Sequence, residues 1–144
     1  YFSIGEIQLS LDELDKACES FQKVLLLSPS LPTPHMKLSL IFFRQGHIGR
    51  AFEEINTALA MRDTDHRYHS HLGLLLAKNN NYTEAIRALQ RAIQLSPLTP
   101  GPYLQLSQMY LNQGKLELAI STVRKAIELD AQNPNSHHPD KDPY

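Results

Sequence analysis

One feature restricts this chain more than any other: shifted against itself by 34 residues, its pattern of small and apolar positions returns. Ala17, Ala51, Ala85 and Ala119 occupy one place in four successive units, although the 144 residues contain only 11 alanines. Gly5, Ser39, Gly73 and Ser107 share a second place twelve residues earlier, and all are small. The clearest unit runs from Leu72 to Pro97, LGLLLAKNNNYTEAIRALQRAIQLSP, with a polar turn at Asn79, Asn80 and Asn81. A fixed period of this size is the mark of stacked supersecondary units, each too small to bury its apolar face alone. Stability then accumulates over repeats and the interfaces between them.

The apolar places recur in the same register. Ile4, Leu38, Leu72 and Leu106 head the first stretch of each unit; Phe42, Leu76 and Tyr110 follow one turn later, with Gln8 the exception. Leu14, Ile48, Tyr82 and Leu116 open the second stretch, Phe21, Ile55, Leu89 and Val123 continue it, and Leu25, Leu59, Ile93 and Ile127 come a turn later. Spacings of three, four and seven residues belong to helices buried along one stripe. Small residues on both members of a pair let the backbones approach, ridge into groove. Gly46, Gly114 and Asn80 suit a left-handed turn between the two helices, and Asp12 is placed to cap the helix that follows. Pro29 and Pro97 stop second helices, with Asp63 and Ala131 standing at that place in the other units, and Pro32, Pro34, Pro100 and Pro102 sit where first helices begin. The pattern predicts an all-α chain with helices over 1–10, 13–28, 33–45, 48–62, 66–79, 82–96, 100–113 and 116–130. The units are 1–31, 32–65, 66–99 and 100–133, and a flexible polar tail is expected over 134–144.

Composition narrows the function classes. A net charge of −1 and a pI near 6.7 give no overall attraction to nucleic acid or anionic membrane. The charge is uneven, with five acids against two bases over residues 1–31 and four bases against one acid over 66–99. The single cysteine, Cys18, excludes an internal disulfide and reads as a buried thiol; a reducing, intracellular and cytoplasmic setting is expected. No apolar run reaches the roughly 18 residues of a membrane span. Tyr1 opens the chain within an apparent helix and without a methionine, which reads as an excised fragment whose targeting signals lie elsewhere. His66 and His69 share a helix face, but His71 points elsewhere, and the adjacent His137 and His138 do not complete a metal site. The sequence holds no nucleophile elbow and no glycine-rich phosphate loop, and Asn81-Tyr82-Thr83 reads as a chance glycosylation sequon. No catalytic residue, cofactor or metal is expected.

Residues 1–133 resemble four tandem tetratricopeptide repeats. The family's succession of small residue, large residue, turn, alanine, large residue, alanine and proline maps onto Gly73, Leu76, Asn80, Ala85, Leu89, Ala92 and Pro97. In the last unit it maps onto Ser107, Tyr110, Gly114, Ala119, Val123, Ala126 and Ala131, while the tryptophan that often opens the pattern is replaced by Tyr1, His35, His69 and Tyr103. The resemblance implies a right-handed superhelical solenoid of antiparallel helix pairs, non-catalytic, whose first helices line a concave groove for a peptide or helical segment of another protein. The groove positions it implies are Met36, Lys37, Leu40, Phe43, Arg44, Arg67, His71, Leu74, Lys78, Leu104, Gln108 and Leu111, with Phe2, Glu6, Ser70, Gln105 and Asn112 beside them. Lys37, Arg44, Arg67 and Lys78 among apolar residues favour a partner carrying acids and hydrophobic anchors. Two specialised grooves known in the family are not matched. Phe2 and Glu6 stand where a carboxylate clamp for chaperone tails needs lysine and asparagine, and Lys37, His71 and Gln105 stand where an asparagine ladder would run. Two other readings remain open: a scaffold or oligomerisation segment acting through its terminal repeats, where Ile120, Ile127 and Leu129 lack a following helix, or the substrate-recruiting arm of a larger enzyme.

Overall fold

The computed structural model describes residues 1–132. Among them are eight helices and no strand: α1 Phe2–Ser10, α2 Leu14–Leu27, α3 Pro32–Arg44, α4 Ile48–Met61, α5 His66–Lys78, α6 Tyr82–Leu95, α7 Pro100–Asn112 and α8 Leu116–Gln132. The main contacts join α1 to α2, α3 to α4, α5 to α6 and α7 to α8, so each consecutive pair is a hairpin. Contacts of α2 with α3, α4 with α5 and α6 with α7 stack each hairpin on the next, and α5 also touches α7 directly. The result is an all-α repeat solenoid, the class the 34-residue period predicts.

The ends of the helices have local causes. Prolines open α3 and α7, where a missing N–H costs nothing and the fixed φ suits a first turn. At α5 that role passes to Asp65, whose side chain accepts from the Arg67 N–H at 2.9 Å. Each hairpin turns through a left-handed residue at the same place in the repeat: Asp12, Gly46, Asn80 and Gly114, with φ of 60°, 83°, 63° and 74°. Asp12 therefore shapes the turn rather than capping α2, whose N-cap is Glu13. Helix ends lie within two residues of the sequence expectation throughout. The largest departure is α8, which continues to Gln132 because Ala131 sits where proline follows α2 and α6.

Close approach within each hairpin depends on the paired small residues. Ala17, Ala51, Ala85 and Ala119 are all buried, as are Gly5, Ser39, Gly73 and Ser107. A Cβ on Gly73 would lie 2.9 Å from Leu89 Cγ, and one on Gly5 would lie 3.0 Å from the Phe21 ring. The same helix-two place facing Ser39 and Ser107 holds the β-branched Ile55 and Val123. Glycine thus stands opposite Phe21 and Leu89, which a Cβ would crowd, and serine stands at the two places where the residue in register is β-branched. The buried side chains form two clusters. The first runs from Leu9, Ala17 and Phe21 through Leu38, Ile41, Phe42 and Ile55 to Tyr68 and Leu75. The second joins Leu76, Ala85, Ala88 and Leu89 to Leu106 and Met109 of α7.

Candidate partner-binding groove

First helices supply most of the lining of a cleft of about 480 Å³ between α5 and α7. Leu74, Ala77 and Lys78 form the α5 wall, Gln105, Gln108 and Asn112 the α7 wall, and Gly73, Leu89 and Met109 also line it. Asn80 and Tyr82, from the turn into α6, complete the lining. Of the positions expected from the sequence, this brings together Leu74, Lys78 and Gln108, with Gln105 and Asn112. Met36, Lys37, Leu40 and Phe43 lie half-buried on α3, outside the cleft. Leu104 and Leu111 are exposed on α7, but neither lines it; Leu104 borders a separate hollow with Pro100, Ala126 and Ile127.

Electrostatics separate the four expected cations. Lys37 Nζ lies 3.3 Å from Glu6 Oε1, across from α3 to α1. Arg44 Nη1 lies 4.0 Å from Asp12 and donates to the Leu9 carbonyl at 3.4 Å, which places it over the end of α1. Arg67 grips Asp65 through Nη2 to Oδ2 at 2.6 Å and Nε to Oδ1 at 3.0 Å. That hydrogen bonding is the main reason the Asp65 carboxyl titrates below its ordinary value and the Arg67 guanidinium above its own. Lys78 forms no ion pair with any described residue. Beside it, Gln105 holds Oε1 buried without a hydrogen-bond partner, as does Ser70 its Oγ. A buried unpaired acceptor costs about 1–3 kcal/mol.

His71 departs from the expectation of a groove contact. It is buried at 4% exposure, with Nε2 at 2.8 Å from Ser39 Oγ. Ser39 gives its only hydroxyl proton to the Ala51 carbonyl, at 2.7 Å, so His71 must donate Nε2–H and leave Nδ1 bare. Phe43 meets the ring edge-on at a centroid distance of 6.3 Å. Burial lowers the imidazole pKa to about 4, against the opposing effect of a hydrogen bond to Ser39. The ring is a neutral tie between the second and third hairpins, because a charged one would be stranded from water. The neighbouring histidines have separate roles: His69 Nε2 lies 2.7 Å from the Asp63 carbonyl, and no group of three or more metal-ligating side chains converges among the described residues. Cys18 is half-buried against the first cluster, and burial pushes its thiol pKa up, which weakens it as a nucleophile. The expected tail at 134–144, with His137 and His138, lies outside the described residues.

Sequence reasoning missed Gly73, Ala77, Asn80, Tyr82, Leu89 and Met109 as parts of the lining. For Asn80 the signal was the all-asparagine turn Asn79-Asn80-Asn81, which stands where the flanking hairpins have Gln45-Gly46-His47 and Gln113-Gly114-Lys115. The pairing of Lys37, Arg44 and Arg67 within the chain was also missed.

Stacked helix hairpins with a cleft between successive first helices define a class, the all-α helical-repeat solenoid. The chain belongs to the tetratricopeptide repeat family: three models of that repeat match it, over residues 36–101, 76–138 and 1–31. It is 30% identical to the BBSome complex member BBS4 of Mus musculus over 131 residues, 90% of this chain. It is also 30% identical to a peroxisomal targeting signal receptor of Eremothecium gossypii over 130 residues, 85% of this chain. The chain spans 23% of the length of each of these two relatives. Among solved structures, one from a functional characterisation of Pseudomonas aeruginosa pilF superposes with a TM-score of 0.86 at 25% identity, covering 94% of this chain and 62% of that one. These likenesses make the chain a protein-interaction module. No described helix is long and apolar enough to cross a membrane.

Proposed function

We propose that the module holds a segment of a partner protein in the cleft between α5 and α7, without catalysing a reaction. The observation that carries this reading is the convergence of Lys78, Leu74, Gln105, Gln108 and Asn112 on one cleft of about 480 Å³. Lys78 is the cation there with no acid of its own, so an aspartate or glutamate of the segment pairs with it. Leu74 offers an apolar contact, and the three side-chain amides offer donors and acceptors to an extended main chain. Gln105 in particular meets a need of its own by turning Oε1 to a segment N–H. The expected contacts on α3, Met36, Lys37, Leu40 and Phe43, lengthen the groove beyond the cleft in this reading. A peroxisomal targeting signal receptor among the relatives is in keeping with a peptide ligand. We place the module inside the cell as part of the same proposal, where a lone Cys18 needs no disulfide partner.

The test is selection from a displayed peptide library on the wild-type protein, followed by titration of the selected peptides against Lys78→Glu. Acidic residues should be enriched beside an apolar anchor, and the substitution should weaken binding by about 10-fold or more. Peptides that bind a folded Lys78→Glu variant unchanged would place the site elsewhere on the solenoid.

A further inference from the structure

Each joint between successive first helices uses three places that the 34-residue period puts in register. Between α3 and α5 these places hold Ser39, Phe43 and His71. His71 Nε2 meets the Ser39 hydroxyl at 2.8 Å, and its ring meets Phe43 edge-on at a centroid distance of 6.3 Å. A hydroxyl and a ring together seal that joint. Between α1 and α3 the same places hold Gly5, Leu9 and Lys37. There Leu9 is buried in the first cluster and Lys37 has Glu6 as its partner. Between α5 and α7 they hold Gly73, Ala77 and Gln105.

At this third joint both fillers are missing. Ala77 has only a methyl group where Phe43 has a ring and Leu9 a branched chain. Gly73 has no hydroxyl, and Leu89 occupies the space where a side chain would stand, its Cγ 2.9 Å from the Cβ position. Gln105 keeps Oε1 buried and unpaired, and all three residues line the cleft of about 480 Å³. The rest of the lining is graded. Leu89 and Met109 are buried, Leu74 is half-buried, and Lys78, Gln108 and Asn112 are exposed. The depth of the cleft is therefore apolar apart from the Gln105 amide, and its rim is polar.

We infer, on the reading of this cleft as the binding site, that its anchor is a tyrosine or tryptophan of the bound segment. The ring takes the place that Phe43 fills in the sealed joint, against Ala77, Leu74 and Met109. An apolar body is buried there, and the Met109 thioether favours an aromatic neighbour. The single O–H or N–H of the ring donates to Gln105 Oε1 once the amide turns toward the cleft. Phenylalanine or leucine would fill the same space and leave that acceptor buried without a partner, the costlier outcome. Lys78, at the rim, stays available to an acid of the same segment.

Peptides selected on the wild-type protein from a displayed random library supply the probes, sorted by whether Lys78→Glu weakens them. Those it weakens should carry tyrosine or tryptophan in preference to phenylalanine or leucine. In a synthetic copy, the anchor is exchanged for its donor-free counterpart, phenylalanine for tyrosine or benzothienylalanine for tryptophan. That exchange should weaken binding to wild type about 5–10-fold. Against Gln105→Met, which offers no oxygen, the same exchange should cost less than about 2-fold. Ala77→Phe puts a ring back inside the chain and should cut affinity for the same peptides by about 10-fold or more, with circular dichroism showing the helices intact. Peptides that respond to Lys78→Glu yet carry neither tyrosine nor tryptophan overturn the inference and leave the cleft as the site. So does an exchange that costs as much on Gln105→Met as on wild type, or full affinity for a folded Ala77→Phe variant. Peptides indifferent to Lys78→Glu, or a library that yields none, overturn the cleft as the site and the anchor with it.

Discussion

The first helices α1 and α3 and the cleft between α5 and α7 are built from the same repeat, yet they spend their polar groups differently. In the front half, Lys37 is tied to Glu6 and Arg44 to Asp12 and the Leu9 carbonyl. In the rear half, Lys78 has no acid among the described residues and Gln105 keeps a buried oxygen unpaired. The cores follow suit. The front cluster contains Phe21, Phe42 and Tyr68 with Phe2, Phe43 and Phe52 packed on it, while Leu89 and Met109 of the rear cluster also line the open cleft. Groups that satisfy each other make structure. Groups left over in a concave place are what the proposed site draws on.

The strongest way to break this contrast is to damage the front core and watch the rear. Phe21 is fully buried, meets Phe2 edge-on at a centroid distance of 5.5 Å, and covers Gly5. Phe21→Ala should cost about 3–5 kcal/mol in urea unfolding. Because a solenoid couples only neighbouring repeats, hydrogen exchange should rise in α1 and α2 and stay low in α5 and α6. Equal loss of protection in both halves would show one cooperative unit rather than two regions with different duties.

His71 lies where the halves meet and provides a smaller effect with a pH signature. The unfolded chain takes up the imidazole proton near the ordinary value of 6.5, whereas the folded chain takes it up only at about 4. The unfolded state therefore binds more protons between these values, and stability rises with pH across that window. The contribution is complete above 6.5 and drains as pH falls toward 4, by about 3 kcal/mol in all. His71→Leu removes the titration while Ser39 keeps its hydrogen bond to the Ala51 carbonyl. Unfolding midpoints compared between pH 6.5 and 4.5 should slope more steeply for wild type than for the variant. Parallel slopes would mean that the ring reaches water and the joint is not sealed.

How much of this was legible in the sequence depends on the distance over which each feature is decided. Helix spans, turns and the small-residue pairs are local to one unit, and four copies in register averaged out their exceptions. Lys37 and Glu6 are ordinary groove positions by that register, and only the approach of α3 to α1 turns them into a pair. His71 shares its place in the repeat with Lys37 and Gln105, so the period put it in the groove. What buried it was the aim of the Ser39 hydroxyl and the edge of Phe43, which no spacing encodes. The cleft lining was half legible for a related reason. Register supplied Leu74, Lys78 and Gln108, while Asn80 and Tyr82 entered from a turn that the register treats as punctuation.

The smallest expected effect on the fold makes the sharpest test of the comparison. Glu6→Gln leaves Lys37 without its acid and should change stability by less than about 1 kcal/mol, since the pair is partly exposed. If a partner's acids are read by whichever groove cation lacks an internal acid, the front half then acquires one. A peptide long enough to reach from α5 to α3, with acids at both ends, should bind the variant about 2–5-fold more tightly, and added salt should erase the gain. Lys78→Glu in the same background should shift the remaining affinity to the front acid alone. Unchanged affinity in Glu6→Gln, alongside a large loss in Lys78→Glu, would restrict recognition to the rear cleft. The Lys37 and Glu6 pair would then serve only to hold α3 against α1.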